Sequence, residues 1–188
     1  MMSNELLQGL PAQVTAQCRV LVLGSMPGAL SLLEARYYAH PRNRFWPLMA
    51  ALCGFDVQLA YAQRLQCLQQ SGVGLWDVIG QCERSGSLDA SIVRGSEVPN
   101  CLPALFADLP QLRAIACNGA AAHRAFQQWI APALPPLAAA LPVLALPSTS
   151  PANAAWSLPR LIERWQPLQH WLNTPDPVIS PATNGLAG

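Results

Sequence analysis

Four short apolar runs, at 20–23, 73–79, 114–117 and 143–146, each give way to small residues that include Gly or Pro. Between them, apolar residues recur at helical spacing over 43–52, 59–70, 102–109 and 120–129, and after the last run over 158–172, where Pro167 interrupts the period. Strands that alternate with helices close into a mainly parallel sheet covered on both faces. In such a sheet ligands bind beyond the carboxyl ends of the strands, where each of these four loops begins. The chain of 188 residues fits one domain, with a core over about 19–172 and a disordered tail over 173–188.

Composition removes several classes. With 52% hydrophobic and 11% charged residues the chain is globular rather than disordered, and a net charge of +1 neither implies nor excludes nucleic acid. The six cysteines, at 18, 53, 67, 82, 101 and 117, form no CxxC pair, which argues against a zinc ribbon or an iron–sulfur site. His40, His123 and His170 show no metal-ligand spacing, so no metal and no other cofactor is expected. The start lacks a signal peptide's basic and apolar regions, and the apolar stretch 131–147 is broken by prolines and too short to span a bilayer. The expectation is a cytoplasmic monomer with reduced thiols.

Residues 24–46, GSMPGALSLLEARYYAHPRNRFW, combine a Gly/Pro turn, adjacent tyrosines, a His-Pro-Arg-Asn-Arg cluster and a Phe-Trp pair. Backbone freedom, stacking surface, cations and one carboxamide so close together suggest a pocket for something flat and anionic. A second loop, LPSTSPANA at 146–154, completes the expected site.

In family order, GSMPG, YYAHPRNRFWP, GLWDVI with CERSGSLDASI, CNGA and LPSTSPANA resemble the hypoxanthine (deoxyinosine) DNA glycosylases of the uracil-DNA glycosylase superfamily. The resemblance runs from about Arg19 to Trp171. It implies a three-layer α/β/α sandwich with a four-stranded mainly parallel sheet. It also implies hydrolysis of the N-glycosidic bond of a deaminated base in DNA. Two departures stand out: uracil enzymes carry Asp after the first strand, where this chain has Ser25-Met26-Pro27, and His before Pro-Ser, where it has Leu146. The resemblance assigns the essential carboxamides to Asn43 and Asn118.

Each candidate has a chemical and an ordinary reading. Asn43 can hold a water in line with the departing base, or can cap the helix that follows. Gly24, Ser25, Met26, Pro27 and Gly28 form the turn that would bring backbone N–H groups to the sugar or base. Asn118 can bond the flipped base, or can sit in a left-handed turn before Gly119. Asp77, when ionised, accepts the N1–H of hypoxanthine and repels the lone pair of adenine; alternatively it is a turn or cap residue. Of Tyr37, Tyr38, Phe45 and Trp46, most belong in a core, and Tyr38 is the expected stacking ring. Arg42 and Arg44 suit DNA phosphates or a solvated surface. Ser148, Thr149 and Ser150 would pinch the phosphates, although Ser150-Pro151 also reads as a helix start.

All eleven basic residues are arginines. Without a lysine the N-terminus is the sole amine for a Schiff base, so a monofunctional glycosylase that leaves the strand unnicked is expected. The rivals are a uracil- or xanthine-preferring glycosylase and a silent module that binds damaged DNA. GSMPG does not match the GxSxG of a serine hydrolase.

Overall fold

The structure, a computed structural model, describes residues 5–173. Its centre is a four-stranded parallel sheet of β2 (Val20–Gly24), β3 (Val73–Asp77), β6 (Ala114–Asn118) and β7 (Val143–Leu146), in the order β3-β2-β6-β7. All five residues of β2 are buried, and their side chains alternate between two cores. Val20 and Val22 face Phe45, Leu48, Met49, Leu161 and Trp165, while Leu21 and Leu23 face Leu102, Phe106, Ala122 and Phe126. Helices on both faces supply those residues: α2 (Phe45–Cys53), α3 (Tyr61–Gln70), α7 (Leu158–Trp165) and α8 (Leu168–Asn173) on one side, α4 (Leu102–Ala107) and α5 (Ala120–Ala125) on the other. This is the three-layer arrangement.

Several elements depart from expectation. The run 73–79 is two strands, because the chain leaves the parallel sheet after Asp77. Val78 and Ile79 donate their N–H groups to Gly24 and Ser25 carbonyls (2.9 Å each), which aligns the turns after β2 and β3. The chain then enters β4 (Ile79–Arg84), the centre of an antiparallel sheet between β1 (Glu5–Gln8) and β5 (Val98–Pro99). Short α1 (Ala29–Glu34) and α6 (Pro136–Ala139) were also not foreseen. The helix expected over 120–129 loosens into a π-turn at Phe126–Ile130. The break at Pro167 separates α7 from α8. Of the expected tail only Asn173 is described, where it closes α8; the remainder lies outside the described residues.

The helix expected over 43–52 starts at Phe45, because the Asn43 side chain accepts the Phe45 N–H (3.0 Å) and the Arg44 N–H turns away to Thr149 O. Pro47 falls in the first turn, where a missing N–H costs nothing. Phe45 is fully buried; its ring stacks on Tyr38 at 3.9 Å between centroids and meets Trp165 edge-on at 6.4 Å. Phe45→Ala should therefore cost about 3–5 kcal/mol. The urea midpoint checks this, and a change below about 1 kcal/mol would show that Phe45 does not hold the layers together.

Candidate active site

The sheet order reverses at β2 and β6: the chain goes from β2 to β3 on one side, then crosses to β6 on the other. Ligands of such sheets sit where that reversal opens a crevice. A cavity of about 340 Å³ lies there. Gly24, Ser25, Met26, Pro27, Gly28, Tyr38, Asn43, Asp77, Asn118, Ser148, Thr149 and Ser150 all line it. Arg42 and Arg44 do not.

Thr149 joins the walls. It is fully buried; its N–H donates to Asn118 Oδ1 and its hydroxyl accepts from Asn118 Nδ2, both at 3.0 Å. Its carbonyl accepts the Arg44 N–H at 3.1 Å. The left-handed conformation belongs to Gly119 (φ 102°), not to Asn118. A Cβ at Gly119 would stand 2.8 Å from the Ser148 Cβ, so glycine lets the two loops meet. Each atom of the Asn118 amide keeps capacity for a ligand, since its oxygen has a second lone pair and its nitrogen a second proton. Asn43 is half-buried, its Oδ1 accepts the N–H of Phe45, the first residue of α2, and it lines the cavity as well, so a part in starting the helix and a place in the site coexist.

Arg44 is not available to DNA. Its guanidinium turns inward and donates to the carbonyls of Ser150, Asn153 (3.0 Å) and Trp156, with Nε to Thr149 O at 3.4 Å. Contrary to the expected phosphate contact, four carbonyls of the 149–156 segment already occupy the cation. Arg42 is exposed and keeps the surface position expected of it. Ser150 accepts the Ala152 N–H and caps a turn; the helix starts only at Leu158.

Tyr38 has a positive φ of 55°, uncommon for a residue with a side chain. One face of its ring covers Phe45, and its buried hydroxyl has no hydrogen-bond partner. Tyr37, Phe45 and Trp46 are core; the Tyr37 hydroxyl donates to Pro11 O (3.0 Å) and the Trp46 Nε1 to Tyr37 O (3.0 Å).

Asp77 is the electrostatic anomaly. It is 4% exposed, its Oδ2 has no partner, and burial pushes its pKa from 3.8 up to about 7. Asp89 pushes in the same direction, while Tyr37 and Arg84 pull it down. A turn or cap role is not what the structure gives it. Gly24 is glycine for its sake: a Cβ there would lie 2.3 Å from Asp77 Oδ1.

Sequence reasoning missed the fifth wall, Ser87, Leu88 and Asp89. Ser25 Oγ donates to Asp89 Oδ1 (2.7 Å), and Ser87 Oγ accepts the Ala29 N–H (2.9 Å). Buried Arg84 links the two turns by donating to Pro27 O and Gly86 O. The signal lies in CERSGSLDASI, whose polar run faces the first loop.

A buried carboxylate, two carboxamides and a half-stacked tyrosine at the mouth of a parallel sheet suit an enzyme that takes a planar heterocycle out of its stack. The sequence profile of the uracil DNA glycosylase superfamily matches residues 11–171, and the chain belongs to that superfamily. It is 36% identical over 113 residues to a protein of Methanosarcina barkeri named hypoxanthine DNA glycosylase, covering 60% of this chain and 70% of the relative. A Methanosarcina acetivorans protein of the same name is 37% identical over the same shares. The fold also matches the solution NMR structure of a candidate uracil DNA glycosylase from Methanosarcina acetivorans, with a TM-score of 0.75 and 30% identity. That match covers 90% of this chain and 100% of the other.

The inward-turned Arg44 sets a test. Arg44→Met should destabilise the protein by about 2–4 kcal/mol through lost charge-assisted bonds to carbonyls, without changing how DNA affinity depends on salt. A shallower salt dependence with unchanged stability would return Arg44 to the phosphates.

Proposed function

We propose that this protein is a monofunctional DNA glycosylase whose leading substrate is hypoxanthine in DNA, acting as a monomer in the cytoplasm without a cofactor. The observation that carries it is the pairing, in one cavity, of the Asn43 carboxamide with a buried Asp77 carboxylate whose Oδ2 lacks a partner. The two named relatives support the choice of base. In the reaction a water oxygen bonds to C1′ as the C1′–N9 bond breaks. The purine leaves with the bonding pair and takes up the water's proton through solvent. Asn43 holds the water by hydrogen bonding; its amide does not titrate and so cannot act as a strong base.

Ionised Asp77 accepts the N1–H of hypoxanthine and rejects adenine, which presents a lone pair there. The negative charge of the leaving base gathers partly on O6, and the unpartnered Tyr38 hydroxyl is a donor for it. Ser148 and Ser150 line the same cavity, and the proposal assigns them to the deoxyribose.

Oligonucleotides carrying single inosine, uracil or xanthine, developed with alkali, test the reading. Inosine should be cleaved fastest, and Asn43→Ala should slow it by about a hundredfold while costing about 1 kcal/mol of helix capping. Asn43→Ser retains a cap acceptor, so it separates the two losses. A uracil-first ranking, or an Asn43→Ala enzyme as fast as wild type, would sink the proposal. Strand scission without alkali would contradict the monofunctional part, since the chain holds no lysine.

Asp77 ties specificity to pH. Its folded pKa lies above the unfolded one, so the native state binds its proton more tightly. The protein then loses stability from this group as pH rises from about 4 to about 7, the window between the two pKa values. Asp77→Asn removes the penalty and should gain stability over wild type at pH 8, by a few kcal/mol at most, roughly, with the gain vanishing near pH 4. The inosine-over-adenosine preference of the wild type should fall as pH drops below about 7, and that of Asp77→Asn should not respond. Equal preference in both proteins at pH 8 would eliminate the filter.

A further inference from the structure

We propose that a second cavity, behind the segment 37–43, seats a DNA backbone phosphate next to the excised nucleotide and holds it with Arg64 and Arg36. The proposal takes only the identity of the polyanion from the glycosylase reading. The starting point is a deficit. The base pocket is lined by Asp77 and Asp89 and by no arginine, so it offers a phosphodiester strand no attraction of its own. The binding cations must lie at its border, and this chain has only arginines to provide them.

Most arginines are spent elsewhere. Arg19, Arg44, Arg84, Arg113 and Arg160 donate to backbone carbonyls. Arg42, Arg94, Arg124 and Arg164 line neither cavity. Arg36 and Arg64 remain, and both face a space of about 240 Å³. Tyr37, Tyr38, His40 and Asn43 wall this space and the base pocket alike, so a strand whose nucleotide enters the pocket passes over the shared wall.

The two cations are held ready. The Arg64 guanidinium carbon lies 4.9 Å from the centre of the Trp46 ring, and that of Arg36 lies 5.7 Å from the centre of Tyr61. Arg64 Nε is buried and has no acceptor. Burial and the neighbouring Arg36 both disfavour the Arg64 cation, a cost that a bound phosphate oxygen offsets. The sole anion of this cavity, Glu34, pairs with Arg36 at 3.7 Å in an exposed geometry of little strength, which a phosphate can displace.

The test is the salt dependence of binding to a duplex carrying a tetrahydrofuran abasic analogue, followed by fluorescence anisotropy. Each of Arg36→Gln and Arg64→Gln should flatten the slope of log affinity against log salt by about 0.9, one phosphate, and weaken binding about eightfold near 0.1 M salt. Arg64→Lys should restore the slope, which separates charge from the packing of the guanidinium on Trp46. Arg164→Gln, on the exposed side of α7, should match wild type. Wild-type slopes in both Gln variants, or the same loss in Arg164→Gln, would overturn the proposal. Inosine excision by the wild type is read separately. Its absence would remove the glycosylase reading, whereas altered slopes would still support the phosphate seat.

Discussion

Three parts of the chain meet at Thr149, and the geometry of the site depends on that junction. Asn118 arrives at the end of β6 and exchanges two hydrogen bonds with it. Arg44, just ahead of α2, donates its N–H to the same residue's carbonyl and its guanidinium to the carbonyls that follow. Asn43 precedes Arg44 directly, so the distance between the two candidate carboxamides is set by the bonds that Asn118 and Arg44 each make to Thr149. Charge-assisted bonds to carbonyls are stronger than neutral ones and leave the loop few alternatives. In the proposed reaction a water held by Asn43 would meet a wall that is already in position before any ligand binds, which is where an entropic advantage in catalysis arises.

Asp77 opposes that stability. A carboxylate with one buried, unpaired oxygen is expensive, and nothing in the fold requires it: β3 would pair with β2 equally well through any residue at 77, since pairing uses the backbone. Gly24 gives up a side chain so that the carboxylate can reach the cavity. Arg84 pulls the carboxylate back toward ionisation, although two nitrogens of its guanidinium already donate to Pro27 O and Gly86 O. An unfavourable group accommodated by two specific neighbours is what the proposed part of Asp77 in base recognition calls for.

The central layer was legible in the residues because parallel strands buried on both faces read as unbroken apolar runs, and three of the four ended within a residue of expectation. The antiparallel sheet was not legible. Its outer members are four and two residues long, and β1 finds β4 across more than seventy residues of chain, a pairing no local pattern encodes. Ten of the twelve foreseen cavity residues lie at the ends of parallel strands or in the loops that follow them, a rule of topology, while Tyr38 and Asn43 lie between α1 and α2. Arg44 went the other way because side-chain direction is a tertiary property: a cation between Asn and Phe looks solvated until the 149–156 loop closes over it. Ser87 to Asp89 joined the wall through Ser25 and Ala29, contacts that span about sixty residues.

Taken together, the two proposals separate affinity from selectivity in space. The phosphate seat proposed at Arg36 and Arg64 lies behind the shared wall, while the pocket itself holds carboxylates, amides and a phenol. The separation has an electrostatic reason. An arginine inside the pocket would help a leaving base anion, but it would also pull the Asp77 pKa back toward an ordinary carboxylate and fix it ionised at every working pH. It would also offer donors to any base with a lone pair, adenine included, and so erode the discrimination that a lone acceptor provides. Keeping cations outside leaves Asp77 governed by burial. On the proposed reading, recognition of a deaminated base then comes down to one exchangeable proton on the ligand meeting the unpaired Oδ2 of Asp77.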